Sequence, residues 1–285
     1  MTSRTSRTKR IILLALAGAT LPLLAHAAGE AIQIDRQKWS FAGFFGRFDQ
    51  NQLQRGFQVY KDACAQCHGI SRIDFRNLAQ AGGPVFNEDS VKGLASTYEV
   101  QDGPNDEGQM FKRPGRLSDK VPSPYANEQE ARSIHNGAYP PDLSLITRAR
   151  GVEYHGSLFA HPFHILKDMA IGYQEGGADY LYALLTGYTD APPDFKLADG
   201  MQYNKAFAGH QISMPPPLIE GNIKYEDGTP ATVDQMARDV TAFLSWTGDP
   251  KHDERKRMGL LVMLYLLITA VLLYFAKKRI WASAH

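Results

Sequence analysis

The sequence predicts a mainly α-helical chain in which a few helices are joined by long irregular segments and one C-terminal helix crosses a membrane. Three observations carry that expectation. Stretches near 50–63 and 233–246 combine an N-terminal capping pair with apolar residues at helical spacing. The residues between them are broken by Gly82-Gly83-Pro84, Pro122-Ser123-Pro124, Pro140-Pro141, Pro192-Pro193 and Pro215-Pro216-Pro217, with no sustained strand alternation. Finally, Met258 to Ala276 is 19 residues without a charge.

Taken from the N-terminus, Arg4, Arg7, Lys9 and Arg10 form a basic leader, Ile11 to Leu24 is an apolar run of 14 residues, and Ala25-His26-Ala27 offers small residues where a signal peptidase reads. The run is short of the ~20 residues that a bilayer needs, so residues 1–27 are expected to be a cleavable secretory signal. Residues 28–257 then form an exported domain in an oxidising compartment.

Within that domain a helix is expected from Gln50 to Ala63, with Asp49 and Gln52 in capping-box spacing and Leu53, Phe57, Tyr60 and Cys64 recurring on one face. A shorter helix is expected near Asp179 to Thr186, after Gly176-Gly177. A third runs from Val233 to Trp246, with Thr232 and Gln235 as its capping pair and Met236, Val240, Phe243, Leu244 and Thr247 as its inner stripe. It leads toward the C-terminal run and is expected to double as a stalk. Long loops wrapped round something fill the rest.

A helix over residues 258–276 is ~28 Å long at 1.5 Å per residue, about the hydrocarbon thickness. It is apolar on every face and lies between Arg255-Lys256-Arg257 and Lys277-Lys278-Arg279. Both flanks are basic, so orientation follows from the exported domain, which leaves residues 277–285 as a cytoplasmic tail.

The composition, 44% hydrophobic and 21% charged, excludes a disordered or collagen-like chain, and two cysteines exclude a multi-disulfide scaffold. The formal net charge of +1 conceals an asymmetry. The first ten residues carry four positive charges and residues 251–285 a net five more, which leaves −8 on the body between them. A domain of that sign repels nucleic acid and draws basic partners, with Glu99, Asp102, Asp106, Glu107, Glu226 and Asp227 as docking candidates.

Cys64-Ala65-Gln66-Cys67-His68 is the C-x-x-C-H pattern of covalent c-type haem attachment. Two thiols add to the haem vinyl groups, and the two-residue spacer on a helical turn sets both sulfurs at the porphyrin edge. His68 can then reach the iron as proximal ligand. A redox cysteine pair would leave His68 without a role and lacks a βαβ context. The predicted fold is therefore a c-type cytochrome domain with long loops around one haem c.

The sixth iron ligand decides function, because a closed His/Met site transfers electrons whereas an open one binds oxygen or peroxide. Candidates are His135, His155, His161, His164, His210, His252, Met110, Met169, Met201, Met214 and Met236. Met214 stands out, since Pro215-Pro216-Pro217 fixes the backbone beside it and reduces the entropy cost of holding a weak thioether at iron. Met236 lies on a helical core stripe.

The string Arg55 to Lys61 (RGFQVYK), Val100 to Asn105 (VQDGPN), Met110 to Gly115 (MFKRPG), Pro140 to Ser144 (PPDLS), Leu184 to Tyr188 (LLTGY) and Met214 to Pro217 (MPPP), in this order, resembles the cytochrome c1 family. That family supplies the haem subunit of the quinol:cytochrome c oxidoreductase, or cytochrome bc1 complex, and the resemblance runs from about Phe41 to Trp281. It implies axial ligation by His68 and Met214, a haem propionate contact from Arg150, packing of Pro141 at the haem face, and help from Tyr180 in holding the haem. It implies one-electron transfer from a Rieske iron–sulfur protein to a soluble c-type cytochrome, with no substrate chemistry by this chain alone. Cytochrome b and membrane lipid are implied neighbours, the complex is implied to be dimeric, and the setting is a bacterial inner membrane with the body in the periplasm. The segment Gly151 to Gln174 is longer than in mitochondrial relatives. Two rival readings are a membrane-anchored cytochrome serving an oxidase or photosynthetic centre, and a haem peroxidase with an open iron.

Overall fold

Asp49 starts the first helix: its side chain accepts the Gln52 amide at 2.7 Å, satisfying one of the free N–H groups at the helix end. The computed structural model describes residues 32, 34–151, 163, 166 and 175–282. Of the two units into which the chain divides, Met1–Ile32 and Gln33–His285, the first lies outside these residues except for Ile32. The expected signal at 1–27, the long segment after Gly151 apart from residues 163 and 166, and the candidates His155, His161, His164 and Met169 also lie outside them.

Helix α1, Gln50–Val59, passes into a π-helical turn, Tyr60–Cys64, so the expected helix continues to the first cysteine with a widened last turn. Of the expected face, Leu53, Tyr60 and Cys64 are buried and Phe57 is half-buried, and Val59, outside that stripe, is buried as well. A 3-10 turn, Phe75–Ala79, follows, held by a reciprocal Asp74 and Asn77 capping box. Next come α2, Glu88–Ser96, and an antiparallel hairpin of β1, Glu99–Asp102, with β2, Phe111–Pro114. Helices α3, Glu128–Ile134, α4, Ile146–Ala149, and α5, Gly176–Thr186, precede a second short hairpin, β3, Gln202–Tyr203, with β4, Gln211–Ile212. Helices α6, Val233–Thr247, and α7, His252–Trp281, complete the described chain.

The core is built on α6, which packs against α1, α4 and α5. The expected stripe is buried, but so are Ala237, Asp239, Thr241, Ala242, Ser245 and Trp246, because neighbours cover several faces rather than one. At the α1–α6 crossing a Cβ on Gly56 would come within 2.1 Å of the Asp239 carbonyl oxygen, so only glycine allows this approach. The fully buried Asp239 carboxylate receives a two-pronged bond from Arg55, Nε at 2.8 Å and Nη2 at 3.2 Å, and a third from Gln235 at 2.9 Å. On α5 the buried Asp179 accepts the Trp39 indole N–H at 2.7 Å and ties the chain entering α1 to the same core.

The α6 helix is not itself the stalk, contrary to the expectation from its position. Gly248-Asp249-Pro250 ends it, Pro250 having no N–H with which to continue, and α7 starts afresh at His252. The residues that lead into the uncharged run are the first part of α7. This helix has 30 residues, its apolar 18-residue stretch has a mean hydropathy of 2.5, and among the described residues it is the one helix long and apolar enough to cross a membrane. Its apolar side chains from Met258 onward are exposed, so no neighbour among the described residues accounts for them.

The first hairpin is tied down by Arg113, which donates to Asp102 and, at 2.6 and 2.9 Å, to Asp119. The Arg113 guanidinium holds the Asp119 carboxyl at about 2, below its ordinary 3.8. A depressed carboxyl contributes stability above its unfolded value and loses it as the pH falls through the folded one. The stability difference between the wild type and Asp119→Asn is therefore expected to be full above pH about 4 and to vanish toward pH about 2, measured as urea midpoints across that range.

Candidate functional site

The π turn ends where the C-x-x-C-H pattern begins. Ala65 N bonds back to Tyr60 O at 2.8 Å, and the amides of Cys67 and His68 both return to Cys64 O, at 3.1 and 2.9 Å. One helical turn thus carries both thiols and the imidazole. Both cysteines are free, Cys64 buried and Cys67 half-buried. Burial, with Cys67 nearby, pushes the Cys64 thiol up to about 12. Burial thus works against a thiolate at Cys64, the form that a thiol-exchange nucleophile needs.

His68 is held from two sides. The Tyr60 hydroxyl donates to its carbonyl at 3.0 Å. Across the site, Pro141 O lies 2.8 Å from His68 Nδ1. A carbonyl can only accept, so Nδ1 carries the proton and Nε2 keeps its lone pair for a metal. Burial lowers the pKa of His68, which favours the neutral, ligating form over the contrary pull of the Pro141 bond.

The segment containing Pro141 is itself fastened to the residues after His68. Leu143 N donates to Gly69 O at 2.8 Å, Ser71 N to Asp142 Oδ2 at 2.8 Å, and Arg72 N to Ser144 Oγ at 3.1 Å. Burial alone would raise the Asp142 carboxyl, but the hydrogen bonds from Ser144 and Ser71 outweigh it and hold the group below its usual range. Pro141 was expected to pack at a haem face. Its observed contact is the carbonyl bond that fixes the His68 tautomer, a role that sequence spacing could not reveal because 73 residues separate the partners.

A second group of residues forms round Met214, which is half-buried in a bend after β4. Asn204, fully buried, donates to Leu184 O at 2.8 Å, and Lys205 N reaches Gly187 O at 3.0 Å, so the hairpin is bound to the end of α5. Tyr188 then donates its hydroxyl to Met214 O at 3.2 Å. Tyr188 went unnoticed as a positioning residue in the sequence, although it closes one of the quoted motifs. Burial raises the Tyr180 phenol, and the positive charge of Arg150 opposes it. Arg150 follows α4 and Tyr180 lies on α5, two helices that meet closely, since a Cβ on Gly177 would lie 2.7 Å from Arg150 O. Among the described residues no hydrogen bond joins this group to the His68 group.

Among the described residues the other histidine candidates are engaged elsewhere. His135 Nε2 bonds the Tyr125 hydroxyl, His210 Nδ1 lies 3.1 Å from Asn204 O, and His252 Nδ1 lies 2.9 Å from Asp253. Met236 is a core residue and Met110 is exposed. Among the described residues no cluster of His, Cys, Asp or Glu forms a separate metal site. Two free thiols, an imidazole with one nitrogen reserved and a thioether in a braced bend are a donor set that fits a covalently held haem.

Of the acidic docking candidates, Glu99 pairs with Lys112 at 3.0 Å, Asp102 with Arg113 and Asp227 with Arg55 at 2.9 Å. Asp106 and Glu107, between β1 and β2, and Glu226 are exposed with no ion-pair partner among the described residues.

Comparison with known proteins places the chain in a family. The model of the Cytochrome C1 family matches residues 39–284. The chain is 52% identical over 249 residues to "Cytochrome b/c1" of Bradyrhizobium diazoefficiens, covering 87% of this chain and 35% of that protein, so it spans about a third of that relative. It is 44% identical to "Cytochrome c1" of Blastochloris viridis, covering 93% and 92% of the two chains. A third relative, "Cytochrome b-c1 complex catalytic subunit, mitochondrial" of Candida albicans, is 41% identical over 90% of this chain and 80% of its own.

Proposed function

The chain belongs to the cytochrome c1 family, and on that premise we propose that it carries single electrons from a Rieske iron–sulfur protein to a soluble c-type cytochrome within a quinol:cytochrome c oxidoreductase. Its cofactor is one haem c, and it is a haem-containing electron carrier of the cytochrome bc1 complex. Bound haem supplies an iron that takes up and releases one electron. Everything else is positioning by the chain.

In this reading Cys64 and Cys67 would hold the haem through thioether bonds, and His68 Nε2 and Met214 Sδ would donate to its iron. The Pro141 carbonyl keeps the proton on Nδ1, and Tyr188 braces the Met214 backbone. Arg150 suits a propionate because its planar fork donates two bonds, and Tyr180 helps to hold the haem. The α7 helix anchors the domain in the inner membrane, single-pass, with the body in the periplasm and residues 277–285 in the cytoplasm. Cytochrome b and the Rieske protein are its neighbours in a dimeric complex.

The observation that carries the reading is the His68 Nδ1 bond to Pro141 O, one residue beyond two free thiols. The test is a haem stain of the denatured chain with a difference spectrum of the membranes. The wild type is expected to keep its stain after denaturation, Cys64→Ala/Cys67→Ala to lose it, and a cytochrome b and a Rieske protein to co-purify. A stainless wild-type band refutes covalent attachment.

Docking of the acceptor follows from the −8 body and the unpaired Asp106, Glu107 and Glu226. The rate of reduction of a basic cytochrome c is expected to fall steeply with ionic strength. A salt-independent rate removes the acidic surface from the account.

A further inference from the structure

Phe44 and Phe45 are 61% and 77% exposed, with ring centroids 5.0 Å apart in a T-shaped pair. They lie between Phe41, whose buried ring stacks on Trp39 and Phe48, and the N-cap of α1. Neither is needed for the core, and two adjacent exposed aromatic rings are costly to leave in water.

Their loop is fastened to the start of α7. Lys256 Nζ donates to Phe41 O at 2.8 Å, Gly43 O at 2.5 Å and Gly46 O at 3.3 Å, so the carbonyls on either side of the pair converge on one ammonium. Gly43 has φ +72, a turn conformation that favours glycine. Lys256 stands two residues before Met258, where the uncharged run begins, which is a rise of ~3 Å along the helix.

We propose that the 43–46 loop is a second membrane contact, in which Phe44 and Phe45 enter the interfacial layer of the lipid beside the point where α7 enters it. The inference rests on the reading of α7 as a membrane span. Lipid, rather than a protein partner, is selected by continuity: the Lys256 bonds join the aromatic pair to the end of an exposed apolar helix surface, and both meet the same boundary. Charge agrees, because Arg47 and Arg257 are exposed with no ion-pair partner among the described residues and suit lipid phosphates at that level. Two contacts restrain the swing of the exported domain about a single helix.

The test uses the full-length, haem-loaded chain in vesicles of phosphatidylcholine and phosphatidylglycerol. Cys64 and Cys67 being occupied, a nitroxide is attached at Phe45→Cys, at Glu107→Cys on the hairpin tip and at Leu267→Cys within α7. Collision with oxygen is compared with collision with a water-soluble nickel complex. The oxygen-to-nickel ratio is expected to be several-fold higher at 45 than at 107, and highest at 267. A ratio at 45 equal to that at 107, with 267 still lipid-like, overturns the proposal alone. A label at 45 shielded from both reagents also overturns it, in favour of a protein cover. Nickel access at 267 overturns the span on which it rests.

Discussion

Met214→Leu is expected to convert a low-spin, closed haem into a high-spin one that takes up carbon monoxide when reduced, while the haem stays covalently attached. Leucine conserves the volume of methionine, so folding changes by less than about 1.5 kcal/mol and the effect isolates the thioether. Quinol-driven reduction of cytochrome c is expected to fall by at least about 100-fold, the upper end of what even indirect disturbance of metal ligands produces. The outcome separates the rival readings. A spectrum unchanged by the substitution makes Met214 a packing residue and leaves an open iron, as a peroxidase requires. The structure favours ligation because the Met214 backbone is braced by the Tyr188 hydroxyl at 3.2 Å and followed by three prolines.

The second large effect is on stability. Arg55→Ala is expected to cost about 3–5 kcal/mol, since it leaves the fully buried Asp239 carboxylate without its charged partner. Denaturation midpoints of the haem-loaded chain measure it. In Arg55→Met/Asp239→Leu the stranded charge is gone, and at least half of the loss is expected to return. A double variant as unstable as Arg55→Ala alone removes the stranded charge from the account and points to the guanidinium's own contacts, such as that over the Tyr225 ring, whose centroid is 5.8 Å from the guanidinium carbon.

Much of the fold was legible because it is local. Asp49 and Thr232 cap the helices that their positions foretell, and the apolar spacing of α1 brings Cys64 inward as expected. The burial of α6 on several faces was not legible, because a stripe read from one helix says nothing of how many partners will cover it. Nor was the break at Gly248 to Pro250, which makes α6 and α7 separate helices. The π turn before the haem pattern also has no composition of its own.

The sequence by itself determined the attachment pattern, the capped helices, the uncharged C-terminal run and the family, all of which depend on residue types at short, fixed spacing. Only the tertiary structure decided which nitrogen of His68 is free, what braces Met214 and where the Arg55 charge is neutralised. These depend on partners 73, 26 and 184 residues away in sequence. Hydrogen bonds act over about 3 Å of space whatever the chain separation, so no pattern along the chain encodes such pairs until packing brings them together.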